Sequence, residues 1–200
     1  MVRMSHSWMR YDHAEEGADR ILDAAGAGFA AKGVDGTTMI DVARLAGCSR
    51  ATLYRYFTTR ADLQLAYVNR AALRIAADIR GGTRRSEPAA ELTRRIQLGL
   101  AGVRSDPLLA VWFEPRNLAV PVALSGDSEV LAALAIGFFA ELGVVPGDHD
   151  DLTRRGGWLL RSIVSMLAMP ADAATEADAI SRFIVPALLA ELPLSQERTR

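Results

Sequence analysis

Two short helices joined by a tight turn are the most restrictive feature of this sequence. Thr38 stands three residues before Asp41, a spacing at which a hydroxyl and an acid cap the free amide groups of a helix's first turn. Ser49 is a second candidate cap. Gly47, just before it, can adopt the positive φ that a sharp turn needs. The pattern predicts a helix-turn-helix over residues 38–57.

The apolar spacing elsewhere also predicts helices. A first helix begins at Glu15 and ends before Gly33, and a cap at Thr59 opens a long helix from Arg60 to about Arg80. No segment shows the alternating pattern of a strand. The sequence therefore predicts an all-α fold, with further helices at 89–104, 107–118 (interrupted by Pro115), 128–142, 152–169 and 176–192.

The charge distribution favours a DNA-binding N-terminal part. The formal net charge of −1 divides into +2 over residues 1–80 and −3 over residues 81–200, and residues 38–60 alone carry +3. A local excess of arginine attracts phosphate even when the whole chain is nearly neutral. The Arg94-Arg95 pair, outside this segment, is expected on a solvated face.

The cysteine content and the apolar runs indicate the compartment. Cys48 is the only cysteine, so the chain can form neither an internal disulfide nor a cysteine-based zinc site. No apolar run approaches the roughly 20 residues that a membrane span needs. We therefore expect a cytoplasmic protein with no membrane partner.

The second short helix of the predicted helix-turn-helix has one apolar side and one polar side. Leu53 and Phe57 are four residues apart and would hold one side in the core. The opposite side would present a group of residues to the major groove of a duplex, which accepts one helix: Arg50, Ala51, Thr52, Tyr54 and Arg55.

These side chains suit double-stranded DNA. Arg50 can bond a guanine edge or a phosphate, and Ala51 and the Thr52 methyl can touch a thymine methyl. The hydroxyls of Tyr54 and Tyr56 can reach phosphate oxygens. Arg60 is expected to bind phosphate as well, with help from Thr38.

The segment from Gly33 to Phe57 resembles the tetracycline-repressor (TetR) family. It reads GVDGTTMIDVARLAGCSRATLYRYF, and with its flanks the likeness covers about residues 15–65, a quarter of the chain. Cys48 stands where the family usually has an aliphatic residue, and Tyr56 where histidine is common. The resemblance implies a homodimeric repressor in which a small ligand weakens DNA binding and the last two long helices form the dimer.

On this interpretation the chain has three parts. Residues 1–14 are a flexible tail, and residues 15–65 are the DNA-binding domain, with a linking helix to about residue 80. Residues 81–200 form a larger helical domain for ligand binding and dimerisation. Large apolar side chains are candidate walls of a pocket for a small, largely apolar effector: Val111, Trp112, Phe113, Phe138, Trp158 and Met166.

The last two predicted helices carry broad apolar stripes. A stripe wide enough for both a core and a partner is typical of a dimer bundle. Pro186 is expected to kink the last helix. The candidate interface residues are Leu159, Ile163, Leu167, Phe183, Ala187 and Leu188.

Other functions have weaker support in the sequence. No nucleophile elbow, Walker loop or dinucleotide fingerprint is present, so we expect neither an enzyme nor a cofactor, although Glu114 or His149 could act as a base. The acids of 148–151 suit a helix start better than a metal site. A transcriptional activator of the same fold, or a ligand carrier with weak DNA binding, remains an alternative.

Overall fold

The computed structural model describes residues 8–82, 87–142 and 149–190, and the chain forms two compact units, Met1–Val68 and Asn69–Arg200. All regular structure in the described ranges is helical, which confirms the predicted all-α class. None of the helices there has both the length and the apolar content needed to cross a bilayer. The first unit holds α1 (Trp8–Lys32), α2 (Met39–Ala46), α3 (Arg50–Tyr56) and the first turns of α4 (Arg60–Gly81).

The second unit holds the rest of α4 and the helices that follow it. These are α5 (Pro88–Ser105), α6 (Pro107–Ala110), α7 (Ala119–Asp127), α8 (Glu129–Glu141), α9 (His149–Ala168), α10 (Ala173–Ala179) and α11 (Val185–Leu189).

The core of the first unit forms where α1 meets the start of α4. Phe29 is fully buried, and its ring meets that of Tyr67 edge-on, with the ring centres 5.4 Å apart. Gly26 lies one turn before Phe29, and a β-carbon there would come within 2.9 Å of the Tyr67 ring. The glycine therefore lets the Tyr67 ring approach the α1 backbone closely.

The predicted helix caps are confirmed. The Thr38 hydroxyl accepts from the Asp41 amide, and the Asp41 carboxylate accepts from the Thr38 amide. Gly47 has φ of 65°, the left-handed conformation that ends α2 and allows the tight turn into α3. Thr59 and Asp62 repeat the reciprocal cap at the start of α4.

In the second unit, one apolar core lies between α5, α8, α9 and the helical turns around residue 180. Its fully buried members include Leu92, Phe139, Ile180 and Leu188. At its edge, Arg104 of α5 donates two hydrogen bonds, of 2.6 and 2.7 Å, to the carboxylate of Glu176 on α10. This pair fixes the distant α10 against α5.

The structure departs from the sequence prediction at several helix boundaries. The first helix starts at Trp8 rather than Glu15, so the predicted tail is wrong for residues 8–14. The predicted helix 107–118 is only the short α6 followed by two 3-10 turns, because Pro115 cannot donate an amide hydrogen bond. Helix α7 follows directly and was not predicted, and α9 begins three residues early, at His149.

The last predicted helix is also interrupted. Residues Ile180–Ile184 form a π-helical turn, in which the Val185 amide bonds the Ile180 carbonyl five residues back. Pro186 follows at once. A proline removes an amide donor and crowds the carbonyl four residues before it, and the wider π turn relieves that conflict.

Candidate nucleic-acid interface and effector cavity

One side of helix α3 packs into the core of the first unit, as the sequence predicted. Leu53 is fully buried, and Phe57, one turn later, is 8% exposed. The Ser49 hydroxyl accepts from the Thr52 amide at 3.0 Å and caps the helix start. The cap and the two anchors together fix which side of α3 faces outward.

The outward side of α3 carries Arg50, Ala51, Tyr54 and Arg55, all exposed. Among the described residues, neither Arg50 nor Arg55 forms a salt bridge, so both guanidinium groups keep their charge available for an external anion. Thr52 is half-buried, and its hydroxyl lies 2.9 Å from that of Ser49. Six of the predicted DNA-contacting residues lie on this one short helix, and Tyr56 is the sixth.

Tyr56 is oriented differently from the prediction. It is half-buried, and a β-carbon on Gly17 of α1 would lie 2.4 Å from its hydroxyl oxygen. The Arg55 guanidinium lies 5.5 Å from the centre of its ring. The expectation that this hydroxyl faces outward with that of Tyr54 is wrong, because Tyr56 lies beside the buried Phe57 and packs against α1.

The two flanking residues, Thr38 and Arg60, are exposed but engaged. The Thr38 hydroxyl lies 2.8 Å from an Asp41 carboxylate oxygen. Arg60 donates to the Asp35 carbonyl at 2.8 Å and stays 44% exposed. Both residues therefore help to hold the turns at either end of the helix-turn-helix.

Asp41 is surrounded by cations. Lys32 lies 2.5 Å and Arg44 lies 3.1 Å from the same carboxylate oxygen. The hydrogen bond from Lys32, followed by those from Thr38, holds the pKa of the Asp41 carboxyl well below its usual range. This carboxylate is therefore matched by its own neighbours, which leaves the positive charge of α3 uncompensated.

The second unit contains an apolar cavity of about 140 Å³. Helices α4, α5, α8 and α9 form its walls, and Phe138 is the one predicted pocket residue that lines it. Among the described lining residues, Arg95 alone has a polar side chain; the apolar ones include Ala72, Ile75, Ile79, Leu92, Ile96, Val103, Leu131 and Leu134.

The other predicted pocket residues lie elsewhere. Val111 and Trp112 are buried away from this cavity, and Phe113 and Met166 pack against the core of the unit. Trp158 is 51% exposed and does not line this cavity. Its neighbour on α9, Leu159, faces the cavity instead.

The predicted dimer residues divide into three groups. Leu159, Leu167 and Leu188 are at most 7% exposed and belong to the core, so their assignment to an interface is wrong. Ile163 is half-buried and lines the cavity. Two remain at the surface, Phe183 at 70% exposure and the exposed Ala187.

Sequence reasoning missed Arg95, which was expected on a solvated face. The side chain is 5% exposed and donates to Glu91 at 2.8 Å and to Glu141 at 2.7 Å. The Glu91–Arg95 spacing of four residues was the available signal, since such pairs meet on one helix face.

The alternative enzyme and metal sites gain no support. Glu114 is exposed and pairs with Arg116 at 2.8 Å. Asp148 and the side chain of His149 lie outside the described residues. Within the described part, no group of three or more His, Cys, Asp or Glu side chains is arranged to hold a metal ion.

Known proteins resemble this chain along most of its length. The family described as bacterial regulatory proteins, tetR family, matches residues 21–67, which include α2 and α3. An uncharacterized HTH-type transcriptional regulator of Mycobacterium tuberculosis is 40% identical over 181 residues, covering 90% of this chain and 89% of the relative.

Solved structures share the fold. The TetR family repressor AlkX from a Dietzia strain, implicated in biodegradation of n-alkanes, has a TM-score of 0.59 at 22% identity and covers 84% of this chain and 93% of its own. The fatty acid degradation regulator FadR from Bacillus halodurans has a TM-score of 0.55 at 16% identity, over 92% of this chain and 97% of its own.

Proposed function

Because this chain belongs to the TetR family of helix-turn-helix transcriptional regulators, we propose that it is a cytoplasmic repressor that binds an inverted-repeat operator as a homodimer and is released by a small, largely apolar effector. The observation that carries this proposal is the orientation of α3. Leu53 and Phe57 fix one side, and Arg50 and Arg55 extend from the other without salt-bridge partners among the described residues.

The proposed base contacts lie at the start of α3. Arg50 is placed to donate to the O6 and N7 atoms of guanine, the commonest specific contact in a major groove. Ala51 and the Thr52 methyl suit a thymine methyl. Such contacts read sequence, whereas contacts to the DNA backbone fix the register.

The proposed backbone contacts surround these. Tyr54 is 43% exposed, so its hydroxyl can donate to a phosphate, and Arg55 adds positive charge beside it. Thr38 and Arg60, at the two flanks, are exposed, so each can contact a phosphate while it holds its turn. Neutralising phosphates releases counterions, so binding should weaken linearly with salt on logarithmic axes.

We propose that the dimer forms through the outer surfaces of α9 and the segment after α10. Trp158 on α9 and Phe183 in the π turn are large apolar side chains at 51% and 70% exposure. Ala187, also exposed, is small enough for close approach. A two-fold dimer would place its α3 helices on half-sites about 34–36 Å apart, or a multiple of that distance.

The apolar cavity is the proposed effector site. Its volume of about 140 Å³ is close to that of an apolar cavity of roughly 150 Å³ known to accept benzene. Helix α4 forms one wall with Ile75 and Ile79, and the same helix begins in the DNA-binding unit at Arg60. A ligand that prefers one position of α4 would shift the DNA-binding equilibrium by its differential affinity.

Selection from random duplexes tests the proposal. Purified protein should enrich a short inverted repeat, and its affinity for that repeat should fall steeply as salt rises. A carrier with a vestigial helix-turn-helix would enrich no sequence. Salt-independent binding would contradict the groove contacts.

Transcription in vitro separates repressor from activator. With the selected repeat placed over a promoter, transcript yield should fall on adding the protein and recover with effector. A rise in transcript on adding the protein would identify an activator of the same fold.

A further inference from the structure

Five charged side chains form a continuous cluster where the end of α4 meets α5 and α8. We call it the arginine cluster; its members are Arg80, Glu91, Arg94, Arg95 and Glu141. Arg95 donates to both carboxylates, through Nε to Glu91 at 2.8 Å and through Nη1 to Glu141 at 2.7 Å. Arg80 donates through Nε to Glu141 at 2.8 Å. Arg94 forms a bidentate pair with Glu91, at 2.8 and 2.9 Å.

Counted over the described residues, the arginine cluster carries one unmatched positive charge. Arginine stays protonated in proteins, so three guanidinium groups face two carboxylates. The hydrogen bonds that Arg94 donates to Glu91 raise the pKa of Arg94. Burial would raise the pKa of Glu141, but hydrogen bonds from Arg80 and Arg95 outweigh it and lower that pKa. Each carboxylate is bound by two guanidinium groups, which leaves a net charge of +1 on the five side chains.

The cluster still has hydrogen-bond donors to offer. Arg95 is 5% exposed, and its Nη2 group donates to no other atom of the described residues. Arg80, 40% exposed, donates there only through Nε. Neither group is a buried donor without a partner, so each can exchange solvent for an anionic acceptor.

Arg95 stands at the boundary of two spaces. On one side it lines the apolar cavity, and on the other it lines a polar cleft of about 290 Å³ formed by the arginine cluster and Gly82. Phe138, a cavity wall, has its ring centre 5.2 Å from the Arg95 guanidinium and 5.6 Å from that of Arg80. A molecule that fills the cavity therefore meets positive charge only at this end.

We propose that the effector is an amphipathic carboxylate, with an apolar body of about one ring or six carbons in the cavity and its carboxylate on Arg95 and Arg80. The inference rests on the proposed effector-binding function. A neutral apolar ligand would leave the positive charge of the cluster unmatched, and an ammonium ligand would be repelled by that charge. An anion supplies the negative charge that the cluster lacks and accepts hydrogen bonds from the unused N–H groups of Arg80 and Arg95.

Isothermal titration calorimetry of the full-length protein with matched six-carbon probes tests whether the ligand is a carboxylate. Hexanoate should bind at least tenfold more tightly than 1-hexanol, hexylammonium should bind more weakly than either, and acetate should not bind measurably. Equal affinity for hexanoate and 1-hexanol, tighter binding of hexylammonium, strong binding of acetate, or binding of none of the probes would each overturn the inference.

Two substitutions on α4 locate the anion. R80Q removes one positive charge from the cluster at a partly exposed position, and it should reduce the hexanoate preference at least tenfold while leaving 1-hexanol affinity unchanged. R74Q is the matched control, because Arg74 is exposed on the same helix and pairs with Asp106 outside the cluster. Equal loss of hexanoate binding in both variants would overturn the assignment, and circular dichroism checks that both fold.

The selected operator separates this inference from the proposed function. If neutral apolar compounds bind and release DNA while hexanoate does not, the effector-released regulator stands and the carboxylate class fails. If hexanoate binds through Arg80 but leaves operator affinity unchanged, the site assignment stands and the release mechanism fails.

Discussion

Arg60 donates a hydrogen bond of 2.8 Å to the main-chain carbonyl of Asp35 and lies 3.6 Å from the carboxylate of the same residue. This double contact joins the first turn of α4 to the loop that precedes α2. Arg50 has no comparable partner among the described residues. Of these two arginines at the same proposed interface, Arg60 therefore also stabilises the fold, whereas Arg50 does not.

Truncating each arginine should give a different DNA-binding profile. Arg50→Ala is expected to cost about 1–3 kcal/mol on the selected operator and to relax base preference at one position. Arg60→Ala should weaken binding to all duplexes alike and also lower thermal stability, because it releases the Asp35 loop. Mobility-shift titrations on operator variants measure both effects.

Arg116→Ala is the control for these titrations, since Arg116 is an exposed arginine of the second unit and pairs with Glu114. It should change neither affinity nor sequence preference. A uniform loss on every sequence in the Arg50 variant would make Arg50 a phosphate contact rather than a base contact.

The turn between α2 and α3 should require glycine. Gly47 has φ of 65°, a conformation that costs a residue with a β-carbon about 1–2 kcal/mol. Gly47→Ala should lose about that much unfolding free energy in urea, whereas Gly47→Asn should lose less, because asparagine tolerates the left-handed region. Gly81→Ala, at the end of α4 with open space around it, should stay within about 0.5 kcal/mol of the parent. Equal losses at both glycines would rule out strain at Gly47.

The Glu176–Arg104 pair should make the free energy of unfolding depend on pH in the acidic range. The hydrogen bonds from Arg104 are the largest influence on Glu176 and lower its pKa, despite the opposing effect of burial. A carboxyl whose pKa is lower in the folded state stabilises the protein above its unfolded pKa of about 4.3, and this stabilisation is lost as pH falls below that value. Glu176→Gln should therefore destabilise the protein by about 1–3 kcal/mol at pH 7. The difference from the parent should shrink as pH falls below about 4.

Urea denaturation at a series of pH values measures this dependence. Asp178→Asn on the neighbouring helical turn is the control, since its pair with Arg182 is exposed at both ends and such pairs contribute little. A Glu176 difference that stays constant down to pH 3 would argue for a packing effect instead of a charge effect.

The DNA-binding unit could be predicted from sequence because its determinants are local. The Thr38 cap, the Gly47 turn and the Leu53–Phe57 spacing each act within a few residues, and each is present as expected. Tyr56 was the exception. Its orientation depends on Gly17, 39 positions away in α1, and short-range spacing cannot report such a contact.

The effector cavity was less predictable because its helices are apolar on more than one side. Leu159 and Trp158 are adjacent on α9, and helical periodicity groups residues onto faces without saying which face turns inward. The structure turns Leu159 into the cavity and Trp158 outward, the reverse of the predicted orientations. Arg95 was misassigned for a related reason, since its partner Glu141 lies on a helix 46 residues away.

The outward face of α9 gives the last prediction. Trp158 is 51% exposed, so Trp158→Arg should leave the monomer folded but place a charge in the proposed interface, where an unpaired buried charge is strongly unfavourable. We expect the dimer dissociation constant to rise at least tenfold, and operator affinity to fall with it because only a dimer contacts both half-sites. Sedimentation velocity over a concentration series measures the dissociation constant.

Val122→Arg is the matched control, since Val122 is an exposed apolar residue of α7 at 58%. It should remain as dimeric as the parent. Phe183→Arg offers an independent check from the segment after α10 and should act in the same direction as Trp158→Arg. If both aromatic variants stay dimeric and bind the operator normally, the subunits must meet through another surface.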